Sequence, residues 1–407
     1  MEAKPNRLYP NLIRAVIEAL QQVFNKDFYV SKVIERTLKS NPKWGSRDRA
    51  FIAESIYEVV RWYRLLYEID GQPPVKDQDW WRLFGILQII NGKMLPEWKE
   101  FQGIDNHQVI LKYEDLKQVR KIKESIPDWL DELGSKELGT VWPETLETLN
   151  QQASVILRVN RLKTDAKQLQ NAFKSADIEV ELINEEALRV TRRKNLFATT
   201  PFKQGWFEVQ DYSSQQVAHY LDVAPGMRVV DACAGGGGKS LHLATLMENK
   251  GQIIAMDTES WKLDELRRRA RRNGIHIIET RPITSTKVIK RLANSVDRLL
   301  LDVPCSGLGV LRRNPDAKWK LQPEFIERLR STQQQILQSY SRMLKPGGKM
   351  VYATCSILPS ENGAQVAQFL KDKKDEFQLL KENSILPQDE GNDGFYMALL
   401  ERVSTSR

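Results

Sequence analysis

Cysteine is scarce, occurring three times in 407 residues, at Cys233, Cys305 and Cys355. So few, and an odd number, exclude a disulfide framework and fit a reducing compartment. Histidine is nearly as rare, and His107, His219, His242 and His276 are too scattered for zinc-type spacing, so no metal is expected. No stretch approaches the roughly 18 consecutive apolar residues of a membrane-spanning helix, which argues against a membrane partner. The opening MEAKPNRLYP has no apolar core of a secretory leader, so a cytoplasmic protein is expected. Internal repeats and low-complexity segments are missing too. What is present is ordinary for a globular chain, 41% hydrophobic and 28% charged residues, with length for two or three domains.

The net charge of +8 is unevenly spread. Residues 1–50 carry +5, 51–150 carry −6, 151–250 carry +2, 251–350 carry +10 and 351–407 carry −3. Two basic regions flanking an acidic stretch suit a nucleic-acid surface. For the densest run, Arg267–Arg272 (RRRARR), a solvated helix face is the equal alternative.

Along the chain, Leu12, Ile13, Val16, Ile17, Leu20 and Phe24 recur at helical spacing. So do Ile52, Ile56, Val59, Val60, Tyr63 and Leu66, after Ser46 as a candidate N-cap. Pro73–Pro74 marks a turn that closes this unit. More helix is expected to residue 150, with Trp80, Trp81, Trp98, Trp129 and Trp142 as core anchors. From about 153 the pattern becomes strand, helix, strand, strand: VILRVNR (155–161), TDAKQLQNAFKSA (164–176), IEVELI (178–183) and ALRVTR (187–192), closed by GWFEVQD (205–211). Beyond 213, strands alternate with helices: MRVVDACA, QIIAMD, HIIETR, DRLLLDVPC and GGKMVYATC. The expected architecture is therefore α/β: a helical domain over 1–150, a small α+β subdomain over 151–212, and a Rossmann-like, doubly wound parallel sheet over 213–407.

The first of those strands runs through Asp231, Cys233 and Ala234 into Gly235-Gly236-Gly237-Gly238-Lys239-Ser240. A phosphate-binding loop of the form G-x-x-x-x-G-K-[ST] needs glycine where Cys233 stands, so that reading fails at its first position. A nucleoside cofactor at the strand ends fits better. Asp257 closes the next strand and can accept ribose hydroxyls. Asp231, Asp257 and Asp302 ring the cleft with negative charge, which favours a cationic, phosphate-free cofactor. Asp231 can face the cofactor amine or cap the glycine turn.

Cys305 follows one strand and Cys355 another. If the two strands are neighbours, their ends lie about 5 Å apart and both thiols border one site. Ligand sites of open α/β sheets lie at these carboxyl ends, although a buried cysteine is more often a small hydrophobe.

Together, Asp231-Ala-Cys-Ala-Gly-Gly-Gly-Gly-Lys-Ser240, Leu301-Asp-Val-Pro-Cys-Ser-Gly307 and Ala353-Thr-Cys-Ser356 resemble three signature motifs of the Nop/Sun family of RNA (cytosine-5) methyltransferases, nearest to its bacterial 16S rRNA branch. Val209-Gln-Asp211, Ser213-Ser-Gln215, the Arg313-Asn-Pro-Asp316 loop and Trp319 add to the likeness, which spans about residues 150–405. The N-terminus resembles, less specifically, the NusB-like RNA-binding domain of that branch.

The resemblance implies S-adenosyl-L-methionine as methyl donor, held by Asp231, Cys233, Ala234, Gly235 to Gly238, Lys239, Asp257 and Asp302. It implies Cys355 as the nucleophile that adds to carbon 6 of a cytosine and Cys305 as the group that helps remove the carbon-5 proton. Lys239 and Asp302 are implied to contact the base or steady the thiolate. The expected partner is RNA, 16S rRNA or a small-subunit assembly intermediate, with the target base unstacked and the protein a monomer. The same chemistry on tRNA or 23S rRNA, and a non-catalytic RNA-binding or assembly role, stay open. An amino-group methyltransferase does not, because DVPCS is not its [DN]-P-P-[YF] motif. Two departures stand out. The family loop usually reads CAAPGGK where this chain has Gly235 and Gly236, and Glu279-Thr-Arg-Pro282 lacks the usual aspartate beside the adenine, leaving Glu279 as the candidate substitute.

Overall fold

A computed structural model of the chain describes residues 8–390 and 392–404. Two compact units emerge: Met1–Gln151 with Leu311–Leu321, and Gln152–Val310 with Gln322–Arg407.

The first unit is helical. Pro at the first position starts helix Pro10–Asn25, whose Ile13, Val16, Ile17 and Leu20 are fully buried. Helix Ser46–Arg61 begins one residue earlier than Ser46 as a cap implies. Gly45 is the cap, and the Asp48 carboxylate accepts the Gly45 amide at 3.1 Å. Pro73–Pro74 does not end the unit, which continues through Asp77–Ile90, Asn106–Leu116, Asp128–Leu138 and Trp142–Leu149. Trp80, Trp81 and Trp142 are buried, Trp98 and Trp129 half-buried.

Leu311–Leu321, expected within the catalytic domain, packs in this helical unit instead. Asp316 accepts the Val30 amide at 3.0 Å, Trp319 Nε1 donates to the Val60 carbonyl at 2.7 Å, and Arg61 donates to the Arg312 carbonyl at 3.1 Å. Lys318 is buried beside the Asn150 amide oxygen at 3.3 Å, and burial with Arg61 nearby pushes its pKa well below the usual lysine value. These residues therefore serve the packing of the helical unit.

The second unit holds two sheets. The smaller comprises β1 (Val155–Val159), β2 (Val180–Asn184), β3 (Ala187–Val190) and β4 (Phe207–Val209), antiparallel in the order β2-β3-β1-β4. Helix Ala166–Ser175, capped by Asp165, covers it with Leu169 and Phe173. The larger sheet comprises β5 (Arg228–Asp231), β6 (Gln252–Asp257), β7 (Ile278–Pro282), β8 (Val296–Asp302), β9 (Leu344–Thr354), β10 (Phe377–Ile385) and β11 (Phe395–Arg402), in the order β10-β11-β9-β8-β5-β6-β7. The first five pair in parallel, and β11 is antiparallel to both its neighbours. Helices pack an apolar core against each face, as near-continuous runs such as Leu299-Leu300-Leu301 require. The strand order turns around between β5 and β8, where a ligand crevice is expected. Among the described residues no helix is long and apolar enough to cross a membrane.

Candidate active site

At the carboxyl ends of β5, β6 and β8 lies a cavity of about 970 Å³. Ala232, Cys233, Gly235, Asp257 and Asp302 line it, together with apolar Val303, Ile283, Ile289 and Ile336. The Asp257 carboxylate accepts the amides of Gly235 (2.9 Å) and Glu259 (2.8 Å), so the end of β6 fixes the start of the glycine loop.

The rest of that loop shapes the crevice without lining it. Gly237 has φ +85°, and a Cβ there would stand 2.4 Å from Leu266 Cγ, so only glycine fits. Two arginines far away in sequence hold its carbonyls: Arg269 donates to Gly236 at 2.6 Å and Arg158 to Gly238 at 2.6 Å. Asp231 lies beneath, fully buried, and accepts the Ser240 hydroxyl at 2.6 Å. Burial pushes its carboxyl up to about 7. Asp231, Ala234, Gly236, Gly237, Gly238 and Lys239 are not among the cavity-lining residues. Glu279 is not either, since its carboxylate meets Arg281 (2.6 Å) and Gln252 (3.0 Å), and Ile283 presents an apolar side chain at that end. Burial and the charges of Asp231, Asp302 and Asp257 push the Cys233 thiol well up, so it stands in the wall as a neutral group.

Beside the cavity, β8 and β9 are adjacent and parallel, and their ends bring the other two cysteines together. Cys305 Sγ and Cys355 Sγ are 3.4 Å apart, both half-buried free thiols. Their contact, and then burial, push the Cys305 thiol well above its ordinary value. Lys239 Nζ donates to Asp302 at 2.7 Å and lies 5.2 Å from the Phe395 ring centre. Against the cost of burial, the charge of Asp302 raises its pKa, so the ammonium persists against that carboxylate. Gly309, which a Cβ would drive to 2.1 Å from the Gly394 oxygen, donates to the Cys355 carbonyl at 2.9 Å.

Under the thiols lies a polar network that sequence reasoning missed. Glu361, fully buried, accepts the Ser306 amide (2.8 Å), the Ser306 hydroxyl (2.5 Å), the Ser356 hydroxyl (2.5 Å) and Gln333 Nε2 (3.0 Å). An unpaired buried carboxylate costs several kcal/mol. Four donors at about 1.5–3 kcal/mol each offset that. Asn362 ties in Thr354 (2.5 Å) and the Ser356 carbonyl (2.9 Å).

Two further expectations change. His219, His242 and Glu186, scattered in sequence, meet in space: Glu186 Oε2 is 2.7 Å from His219 Nε2 and 3.5 Å from His242 Nε2. Arg161 already neutralises that carboxylate at 2.8 Å, and buried Arg158 adds positive charge beside His242. Of the arginine run, Arg269 and Arg272 turn inward to the buried Glu208, whereas Arg267, Arg268 and Arg271 are exposed.

Residues 218–401 match the family model described as 16S rRNA methyltransferase RsmB/F, and residues 126–196 match the ferredoxin-like domain of the same group. The probable ribosomal RNA small subunit methyltransferase B of Synechocystis is 31% identical over 94% of this chain and 98% of its own. The chain belongs to the RsmB/F family.

The ribosomal RNA small subunit methyltransferase B of Pasteurella multocida is 36% identical over 68% of this chain and 65% of its own length. In fold, the chain resembles the crystal structure of PH0851, with TM-score 0.83, 24% identity, and 98% and 100% of the two chains covered. It also resembles NSun6 from Pyrococcus horikoshii with SFG, with TM-score 0.62, 19% identity, and 68% and 98% covered. As an RsmB/F member it is a small-subunit rRNA methyltransferase with S-adenosylmethionine as cofactor. The cavity suits that molecule: a carboxylate at the end of β6 for the ribose, apolar walls for a flat base, and a glycine loop whose lysine is paired with Asp302 and not free to bind a phosphate.

Proposed function

We propose that this protein methylates carbon 5 of a cytidine in 16S rRNA, in the cytoplasm, through a covalent bond between Cys355 and carbon 6. The observation that supports it is the convergence of two free thiols, 3.4 Å apart, beside the cofactor cavity. Carbon 5 of cytosine is a weak nucleophile. Addition of the Cys355 thiolate to carbon 6 sends the ring electrons toward carbon 5 and activates it. S-adenosylmethionine, when bound, supplies the methyl group that the activated carbon takes up. Cys305, having first given its own proton to solvent, then takes the carbon-5 proton as a thiolate, the carbon 6–sulfur bond breaks, the ring double bond returns and Cys355 leaves as thiolate. In this reading Cys233, Gly235, Asp257 and Asp302 face the cofactor, while Asp231, Ala234 and Gly236 to Gly238 set the shape of its loop. The target base is unstacked to reach the thiols, at about a few kcal/mol.

Trapping in cells tests this. Cys305→Ala accumulates protein covalently joined to RNA under denaturing conditions, the Cys305→Ala/Cys355→Ala variant does not, and sequencing the trapped RNA names the substrate. Trapping by Cys355→Ala alone reverses the two roles. A tRNA or 23S fragment in the adduct overturns the 16S assignment, and no adduct despite cofactor binding overturns the chemistry.

A further inference from the structure

Each reactive cysteine is followed by a serine, and both serines end on one carboxylate. Ser306 and Ser356 each donate a hydroxyl to Glu361 Oε2 at 2.5 Å and lie 3.1 Å from each other. The Ser306 amide and Gln333 occupy the other oxygen, and Gln333 also donates to the Pro304 carbonyl at 3.0 Å, on the residue before Cys305. The carboxylate is wholly buried, so these bonds do not compete with water. Strand pairing alone brings the ends of β8 and β9 near each other, but both cysteines lie beyond the last paired residues, Asp302 and Ala353. Past that point the two loops are tied by the Val303 amide on the Ala353 carbonyl, by the Gly309 amide on the Cys355 carbonyl, and by the side-chain bonds that converge on Glu361.

We propose that Glu361 is the positioning residue of the cysteine pair: it yokes the two loops through Ser306 and Ser356 and so sets the two thiols facing each other. This deepens the proposed function, on which its catalytic meaning rests. The buried Tyr352 hydroxyl donates to the Glu361 carbonyl at 2.6 Å and fixes the backbone that carries the carboxylate. Two thiols held at one separation can meet one ring at set positions, which addition at carbon 6 and proton removal at carbon 5 both need.

The test uses the full chain without RNA or cofactor, so its outcome is separate from the trapping experiment. Diamide-driven bridging of Cys305 and Cys355 is timed by peptide mass spectrometry, with iodoacetamide alkylation of each thiol as the control for exposure. In Glu361→Gln, which keeps the size but cannot accept all four donors, bridging slows on the order of tenfold relative to alkylation of either thiol. A wild-type bridging rate in folded Glu361→Gln overturns the proposal. Ser356→Ala cuts one tie and keeps the carboxylate, and bridging slows by about 3- to 10-fold with the alkylation of each thiol unmoved. If Glu361→Gln does not fold, the bridging rate in Ser356→Ala decides alone, and a wild-type rate refutes the yoke.

Discussion

The glycine loop after β5 and the thiol corner after β8 and β9 sit at the same end of one sheet and are held by different means. The loop is kept in place by sterics and by long side chains reaching its carbonyls from outside, Arg158 and Arg269, with Asp257 on its first amide. The thiol corner is organised from inside, by short side chains converging on one buried carboxylate. A loop that must admit a ligand along its backbone benefits from a bare inner surface and outer supports. Two sulfurs that must meet one ring at set positions need directional bonds with little slack.

This contrast can be broken at the loop. Glu208 is the buried anchor of Arg269, Arg272 and Asn273. Glu208→Ala strands two guanidiniums, so urea unfolding is expected to show a loss of about 3–5 kcal/mol. Calorimetry with S-adenosylhomocysteine should show weaker binding as Arg269 releases Gly236, while the relative alkylation of Cys305 and Cys355 stays as in wild type. A change in the thiols of equal size would show that loop and corner are one structure.

A smaller effect comes from the carboxyl beneath the loop. The folded value of Asp231, about 7, lies above its ordinary 3.8, so the folded state favours the proton. That contribution is complete below about pH 4 and is lost as pH rises through 7. Asp231→Asn lacks the titration. Its melting temperature relative to wild type should climb from pH 5 to pH 8, by the equivalent of about 3 kcal/mol. A constant offset across that range would contradict a protonated Asp231.

The smallest effect is on the far side of helix Ser260–Asn273. Arg267, Arg268 and Arg271 are exposed; Arg267 and Arg268 make i,i+3 surface pairs, and Arg267 also donates to the Thr280 hydroxyl at 2.8 Å. Replacing all three by alanine should move stability by about 0.5 kcal/mol or less per residue. The same variant should lower RNA affinity and flatten its dependence on salt. An unchanged salt slope assigns them to a solvated face.

What was legible in the sequence follows the same division. β5, β6, β8 and β9 are apolar runs because both faces of a parallel sheet are covered, and the motif residues stand at their ends. The five expected strands were not the whole sheet. β10 is an edge strand, exposed along almost its full length, so its side chains carry no alternation to read, and β11 was missed with it. Ser306, Ser356 and Glu361 were invisible as a set because pairing 55 residues apart leaves no local pattern. The same holds for Glu186 with His219 and His242, and for Arg269 and Arg272 with Glu208, where a dense run of like charge conceals two inward-facing members.

The excursion of Leu311–Leu321 into the helical unit also bears on how the chain is made. The two units are joined at 151/152, 310/311 and 321/322, so the helical unit is not a detachable module. The Val30 amide meets its acceptor, Asp316, 286 residues later. At about 5–20 residues per second, a ribosome takes roughly 15–60 s to synthesise that interval. In its later part the helices up to Leu149 have been made and still lack Trp319, which follows only once the motif bearing Cys305 has been translated.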